Sequence, residues 1–411
     1  MNEGKVKILE MLQEGKITVQ ESLELLKQFE EEQPMPPYMD DYDDEAMNFE
    51  ERLDGIFDNI GNIVSSNLDK AGRNIDKALN NAEGFSEFSI GGKNVKIVAF
   101  GPGTKPGIGK SFASRPITGD IAFIKLMSKN SPVQIKGYAG DTVQINVKYN
   151  PKRKDAQVVI QEEGGGFEVL YDYNAMRWLG IECLVPNALV NQIHGESKNS
   201  SIVFSDVRAG NAVLITKNSN IKIRDINCHS LLAKTGNSNL YARNVVAHEL
   251  DLQTSNSKIE TENVKAHIAR LTTSNAKIEL EDIDANEIYV KTSNASVKLD
   301  NAYWETNEAA EPAAAVGSQY PPGHEKAPKS ERIVDIKTSN ASIGVGVPAD
   351  AAVKLQASTS NGGVQCKLQN LIANEVSKNY FNGKTYDYES RQKQVKLNLS
   401  SSNGAIKIKE V

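Results

Sequence analysis

The sequence predicts a mainly β protein, a single-stranded β-helix or solenoid with about 19 residues per coil, preceded by an N-terminal helical hairpin and a long amphipathic helix. Three observations carry this. Asn199, Asn218, Asn237, Asn256, Asn275 and Asn294 stand nineteen residues apart with no insertion or deletion. A fixed period of that size marks a solenoid, in which one repeat cannot bury its own apolar face. Apolar columns keep the same spacing: Ile202, Ile221, Leu240, Ile259, Ile278 and Val297 three residues after each Asn, and Leu214, Ala233, Leu252, Leu271 and Val290 fifteen after. Their paired offsets share parity, which places each pair on one face of an extended segment. Asp206, Asp225, Asn244, Asn263, Asp282 and Asn301 form a third column. Asx residues tolerate left-handed backbone, so that column is a corner, and the Asn of each Thr-Ser-Asn is a second.

Taken in order, residues 1–33 form the hairpin, an oligomerisation or docking module. Gly15 suits a helix C-cap, and Thr18 with Glu21 makes a capping box for the second helix. Leu9, Leu12, Leu23, Leu26 and Phe29 are its docking residues. Two short helices cannot bury enough surface alone, so the module needs a partner or another copy. Residues 34–47 are an acidic linker containing Pro34, Pro36 and Pro37. Residues 48–85 carry Leu53, Ile56, Phe57, Ile60, Ile63, Val64 and Leu68 at helical spacing, read either as a docking helix or as a cap over the solenoid end.

Residues 86–196 alternate without a strict period and are expected as irregular β-coils. Residues 197–303 are the regular coils, and 304–331, rich in Ala, Pro and charge, is an inserted mobile loop. The C-terminal coils, 332–411, show the motif again at Asn340, Asn361 and Asn403. One further coil without the Asn is expected between Asn361 and Asn403, with a hairpin tip at Asn382-Gly383. The nine Asn residues form a structural ladder, because equal side chains on stacked coils can bond one another.

Charge and composition narrow the function. The net charge is −6, with five Lys/Arg against sixteen Asp/Glu in residues 1–54. The modest positive excess elsewhere is spread out, so nucleic-acid binding finds no support. Cys183, Cys228 and Cys366 imply no disulfide framework and favour a reducing compartment. No apolar run approaches the ~18 residues of a membrane span. The N-terminus leads into a charged helix and not an apolar signal core, so the expected location is cytoplasmic, with membrane association only through a partner.

Candidate chemistry is sparse. His229, His248 and His267 stand nineteen apart; they are weak metal candidates, since a surface ring stack is the plainer reading. Gly103–Ser111 looks like a phosphate loop, but Thr104 stands where the Walker pattern needs Gly, and no helix start follows. Glu260, Glu262, Glu279, Glu281 and Asp300 form outward carboxylate columns of the kind a glycan-cleaving enzyme uses. Lys258, Lys277 and Lys298 alternate with them, which is the pattern of a neutralised ladder. No catalytic residue, metal or cofactor is expected.

Thr254-Ser255-Asn256, Thr273-Ser274-Asn275, Thr292-Ser293-Asn294, Thr338-Ser339-Asn340 and the terminal Ser402-Asn403-Gly404-Ala405-Ile406 resemble a bacterial β-strand-repeat family labelled "putative adhesin", of the YvlB type. Glu14-Gly15-Lys16-Ile17-Thr18 is similar to a SHOCT-like helical hairpin. The resemblance covers residues 1–33 and most of 90–411. It implies no established catalytic residues, a Gram-positive origin and an association with envelope-stress genes.

The function expected is therefore a non-enzymatic β-solenoid scaffold that self-associates through its N-terminal helices and is linked to the cell-envelope stress response. Its partners are protein: itself and an envelope-stress membrane protein. The competing reading is an adhesin or a glycan lyase or hydrolase acting on polysaccharide through one solenoid face.

Overall fold

A computed structural model describes residues 84–90, 93–100, 109–153, 156–300, 331–391 and 393–411. The expected hairpin, acidic linker and amphipathic helix lie outside these residues, except that Gly84 already opens a strand, Gly84–Ile90. The expected loop 304–331 also lies outside them, apart from Glu331.

The described chain is almost entirely β. Strands Ile221–Thr235, Leu240–Thr254, Ile259–Thr272 and Ile278–Thr292 stack in parallel, with Ile221 opposite Leu240, Leu240 opposite Ile259 and Ile259 opposite Ile278. The stacking shift equals the sequence period, so every column of like residues becomes a vertical ladder. Each rung bends at Asp225, Asn244, Asn263 or Asp282, where φ is 55°, 53°, 52° and 51°. Left-handed backbone costs most L-residues about 1–2 kcal/mol, and Asx lowers that cost by local hydrogen bonding.

The bend divides a rung into a short side, such as Ile221–Arg224, and a long side ending at the Thr. Alternate residues of both sides point inward, and one continuous apolar cluster runs from Phe112 to Ile408. Thr216, Thr235 and Thr254 are also buried. Their hydroxyls donate to the carbonyls of Ser200, Ser219 and Ser238 at 3.0–3.3 Å, each reaching back sixteen residues. A buried hydroxyl left unbonded is costly, so Thr both fills the core and closes the turn.

Two regions differ from the sequence reading. Between residues 109 and 185 the parallel stacking continues as Gly166–Tyr171, Ile121–Ser128 and Leu189–Ser197 on one side, and Met176–Val185, Val133–Gly137 and Ile202–Ser205 on the other. The pairing then turns antiparallel: Val158–Glu163 and Gly166–Tyr171 form a hairpin, as do Gly84–Ile90 and Lys93–Phe100. The first hairpin turns on Gly164 and Gly165 at φ 59° and 78°, a two-residue turn whose twist suits antiparallel strands.

The second difference is in rung order. Gln394–Ser401 pairs with Arg332–Thr338 on one edge and Ala352–Thr359 on the other. Ile406–Glu410 likewise lies between Ile343–Val347 and Val364–Lys367. The last rung in sequence is therefore the penultimate rung in space. No further coil separates Asn361 from Asn403; residues 371–385 form an antiparallel hairpin, Leu371–Val376 with Tyr380–Thr385. Its reversal is at residues 377–379, and Asn382 and Gly383 lie within the second strand. The glycine answers a close approach: a Cβ there would meet the Ile372 carbonyl oxygen at 2.5 Å.

Candidate binding face

The outer surface of the solenoid is built from ladders of repeated side chains, and the longest is the Asn ladder at the turn before the short side. Asn199 Nδ2 donates to Asn130 Oδ1 at 2.8 Å. Asn218, Asn237, Asn256, Asn275 and Asn294 each donate to the Asn below at 2.7–2.9 Å. Asn340 donates to Asn294, Asn403 to Asn340 and Asn361 to Asn403, at 2.8, 2.7 and 2.6 Å. The structure thus joins all nine Asn residues singled out in the sequence and adds Asn130 at the base. Sequence reasoning missed Asn130 because its rung lies outside the period; the available signal was Ser128-Lys129-Asn130 followed by Val133 and Ile135. Each Asn between Asn130 and Asn361 uses its carbonyl for the rung above and its amide for the rung below, so the column is satisfied internally.

A second, shorter ladder runs up the bend. Asn244 Nδ2 donates to Asp225 Oδ1 at 2.7 Å, and Asn263 Nδ2 to Asn244 Oδ1 at 2.9 Å. Arg224 closes its lower end on Asp225, Nε to Oδ2 at 3.0 Å.

His229, His248 and His267 form a ring stack with centroids 4.9 and 4.8 Å apart and interplanar angles of 22° and 37°. His267 Nδ1 meets Asn286 Nδ2 at 2.8 Å, which extends the column by one rung. Among the described residues no three His, Cys, Asp or Glu side chains gather as a metal-binding group. Burial, then the neighbouring His229 and His267, hold the middle imidazole, His248, below the usual histidine range, against a smaller opposing pull from Glu249.

Four short-side carboxylates, Glu260, Glu262, Glu279 and Asp300, are paired. Lys258 bridges Glu260 on its own rung and Glu279 on the next, and Lys277 also reaches Glu279. Lys298 pairs with Asp300, and Arg243 Nη2 lies 3.2 Å from Glu262 Oε1. Hydrogen bonds from Lys258 and Lys277 hold Glu279 below the ordinary carboxylate range. A general acid in glycan cleavage needs its carboxyl raised instead.

Cys183 and Cys228 are buried free thiols, both pushed up to about 12 by burial. A thiol so raised is a packing group and not a nucleophile at neutral pH. Gly109, Lys110 and Ser111, the end of the apparent phosphate loop, open the strand Gly109–Ala113; the rest of that loop lies outside the described residues. So do the docking residues Leu9, Leu12, Leu23, Leu26 and Phe29.

The sequence profile of the family described as Toastrack DUF4097 matches residues 121–410, which take in every regular rung. The chain belongs to the Toastrack family. A second profile, described as a SHOCT-like domain, matches residues 3–34 of this Toastrack protein. Both agree with the resemblance drawn from the Thr-Ser-Asn repeats and from Glu14–Thr18. No curated protein matches the chain. A crystal structure of "a putative cell adhesion protein from Clostridium sporogenes" is similar at 11% identity and a TM-score of 0.21, covering 74% of this chain and all of that one. A likeness that loose carries no information about function.

Proposed function

We propose that this Toastrack protein is a non-enzymatic scaffold whose solenoid presents its outer ladders to a protein partner. Its N-terminal hairpin joins copies through Leu9, Leu12, Leu23, Leu26 and Phe29. The observation that supports the reading is the short-side ion ladder. Glu260, Glu279 and Asp300 are neutralised by lysines from the same and adjacent rungs, and Glu279 is held in its charged form, which is the opposite of a general acid. Joining several such faces raises their effective concentration at a partner surface with no new contact. On this reading the protein works in the cytoplasm, and its second partner is an envelope-stress membrane protein. The test is the mass per particle of the full chain by light scattering, compared with Leu23→Asp/Leu26→Asp. Assembly through the hairpin predicts a smaller particle for the variant; an unchanged mass would rule it out.

A further inference from the structure

The sequence scatters its cations, but the fold gathers five of them at one corner. Lys129, Lys198 and Lys217 each precede an Asn of the lowest three rungs of the ladder, where Asn199 donates to Asn130 and Asn218 to Asn199 at 2.8 and 2.9 Å. Stacked coils set these lysines one above another, about 4.8 Å apart along the backbone. Arg177 borders the base of the column, where its carbonyl accepts from Asn130 Nδ2 at 3.1 Å. Lys152 stands at the three-residue turn Tyr173–Ala175, and its N–H donates to the Ala175 carbonyl at 2.7 Å. Lys152, Arg177, Lys198 and Lys217 are all exposed.

Lys129 stands behind them. It is only 8% exposed, and its Nζ donates to the Tyr173 carbonyl at 2.6 Å while lying 3.8 Å from the centre of the Tyr173 ring. Burial first, then Lys152 and more weakly Lys198, hold its ammonium below the usual lysine range, against a pull from Asp172. Asp172 is itself held by Arg153 Nη2 at 2.6 Å. Like charges on adjacent strands repel. On the short side that repulsion is relieved, since Lys258 and Lys277 share Glu279. The corner instead stacks three lysines in succession, an arrangement that an anion from outside the chain stabilises.

Two apolar side chains break the surface at the same corner. Met127, two residues before Lys129, is 37% exposed, and Tyr173, under the Lys129 ammonium, is 38% exposed. A tyrosine ring and a flexible thioether among lysines and an arginine match the boundary between water and lipid. There, rings with one polar end settle and cations meet lipid phosphates. A soluble polyanion would use the cations and gain nothing from Met127. The corner is also a turn of the solenoid, a convex edge that suits a planar surface.

We propose that this corner binds an anionic membrane surface directly, with Lys152, Arg177, Lys198 and Lys217 taking lipid phosphates and Met127 and Tyr173 entering the headgroup layer. Lys129 positions Tyr173 through the carbonyl bond and the ring contact. Each Lys or Arg near an anionic bilayer is worth about fivefold in binding, so the four exposed cations multiply to roughly 600-fold over a neutral surface. The contact needs no membrane-spanning segment. It is independent of association through the N-terminal hairpin and of any protein partner.

The test is co-sedimentation of the full chain with vesicles of phosphatidylcholine alone and of phosphatidylcholine with about one-third phosphatidylglycerol, at about 0.1 M and 0.5 M salt. The chain should bind the anionic vesicles only, and release them at the higher salt. Lys198→Gln/Lys217→Gln should weaken that binding about 25-fold, and Lys152→Gln/Arg177→Gln by a similar factor. Both pairs are exposed, and removing like charges should not lower the thermal melt. Lys407→Gln/Lys409→Gln makes the same change in net charge on two exposed lysines of the C-terminal rung, and should bind within about twofold of wild type. Met127→Ser/Tyr173→Ser should weaken vesicle binding about fivefold, because membrane affinity grows with buried apolar area. A wild-type chain that ignores anionic vesicles would overturn the proposal. So would an equal loss in Lys407→Gln/Lys409→Gln, which would mean that net charge and not this corner is read. Binding to a single-stranded oligonucleotide as tight as to the vesicles, with no effect of Met127→Ser/Tyr173→Ser on either, would make the corner a polyanion site and contradict the membrane assignment.

Discussion

Asn403 Nδ2 donates to Asn340 Oδ1 at 2.7 Å across 63 residues of chain, while Asn403 Oδ1 accepts from Asn361 at 2.6 Å. The C-terminal segment therefore sits between two rungs that precede it in sequence, and its turn is packed tightly there. A Cβ on Gly404 would meet the Ala341 carbonyl oxygen at 1.9 Å. Gly404→Ala should force the rungs apart and cost about 1–3 kcal/mol, read from the urea midpoint. Ala341→Gly, in the rung below, should cost far less, since it removes a methyl group and adds no clash.

The bends make a second prediction. Asn244 sits at φ 53° and bonds Asp225 below and Asn263 above. Asn244→Ala should lose both the ladder bonds and the Asx tolerance of that backbone, costing about 1–2 kcal/mol from the left-handed backbone alone. Asn244→Gly keeps the conformation accessible and should be milder than Ala. Equilibrium denaturation of the two variants checks the order.

Much of this fold could be read before any coordinates, for a physical reason. In Ser197–Asp300 every rung solves the same problem with the same residues, so spacing alone reports stacking. The Asx column at Asp206 through Asp282 marks the bends because few other residue types accept that backbone. The order of the last rungs was not legible. Asn340, Asn361 and Asn403 carry near-identical turns, and rungs that alike can stack in any order; only long-range packing selects one. Asn382-Gly383 misled because Gly serves two needs, a turn and a close backbone approach, and here it meets the second. The ring stack of His229, His248 and His267 followed from the period.

His248 predicts a pH dependence. Its folded value lies below the ordinary histidine value of ~6.5, so protonation favours the unfolded chain. Its contribution to stability is present above that range and is lost as pH falls through the depressed folded value. Wild type should therefore lose more stability than His248→Gln between about pH 8 and pH 5, measured by urea midpoints; equal losses would contradict it.

The ion ladder predicts a salt effect. Glu279→Gln removes the carboxylate shared by Lys258 and Lys277. The pairs are partly exposed, so the cost should be only about 0–1 kcal/mol at low salt and should fade toward ~1 M salt, where screening extends over roughly 3 Å. A chemical melt at two ionic strengths separates this from a packing defect, which salt would not relieve.

The most direct test of the stacked, reordered solenoid is a pair of electron–electron spin-label distances from Lys222, one to Lys407 and one to Gln365, all exposed positions of one outer column. Counting rungs at about 4.8 Å each places Lys407 about 29 Å away and Gln365 about 34 Å away. The interleaved order predicts the shorter distance to Lys407, the later residue in the chain. A shorter distance to Gln365 would mean that the rungs stack in sequence order, and would contradict the account.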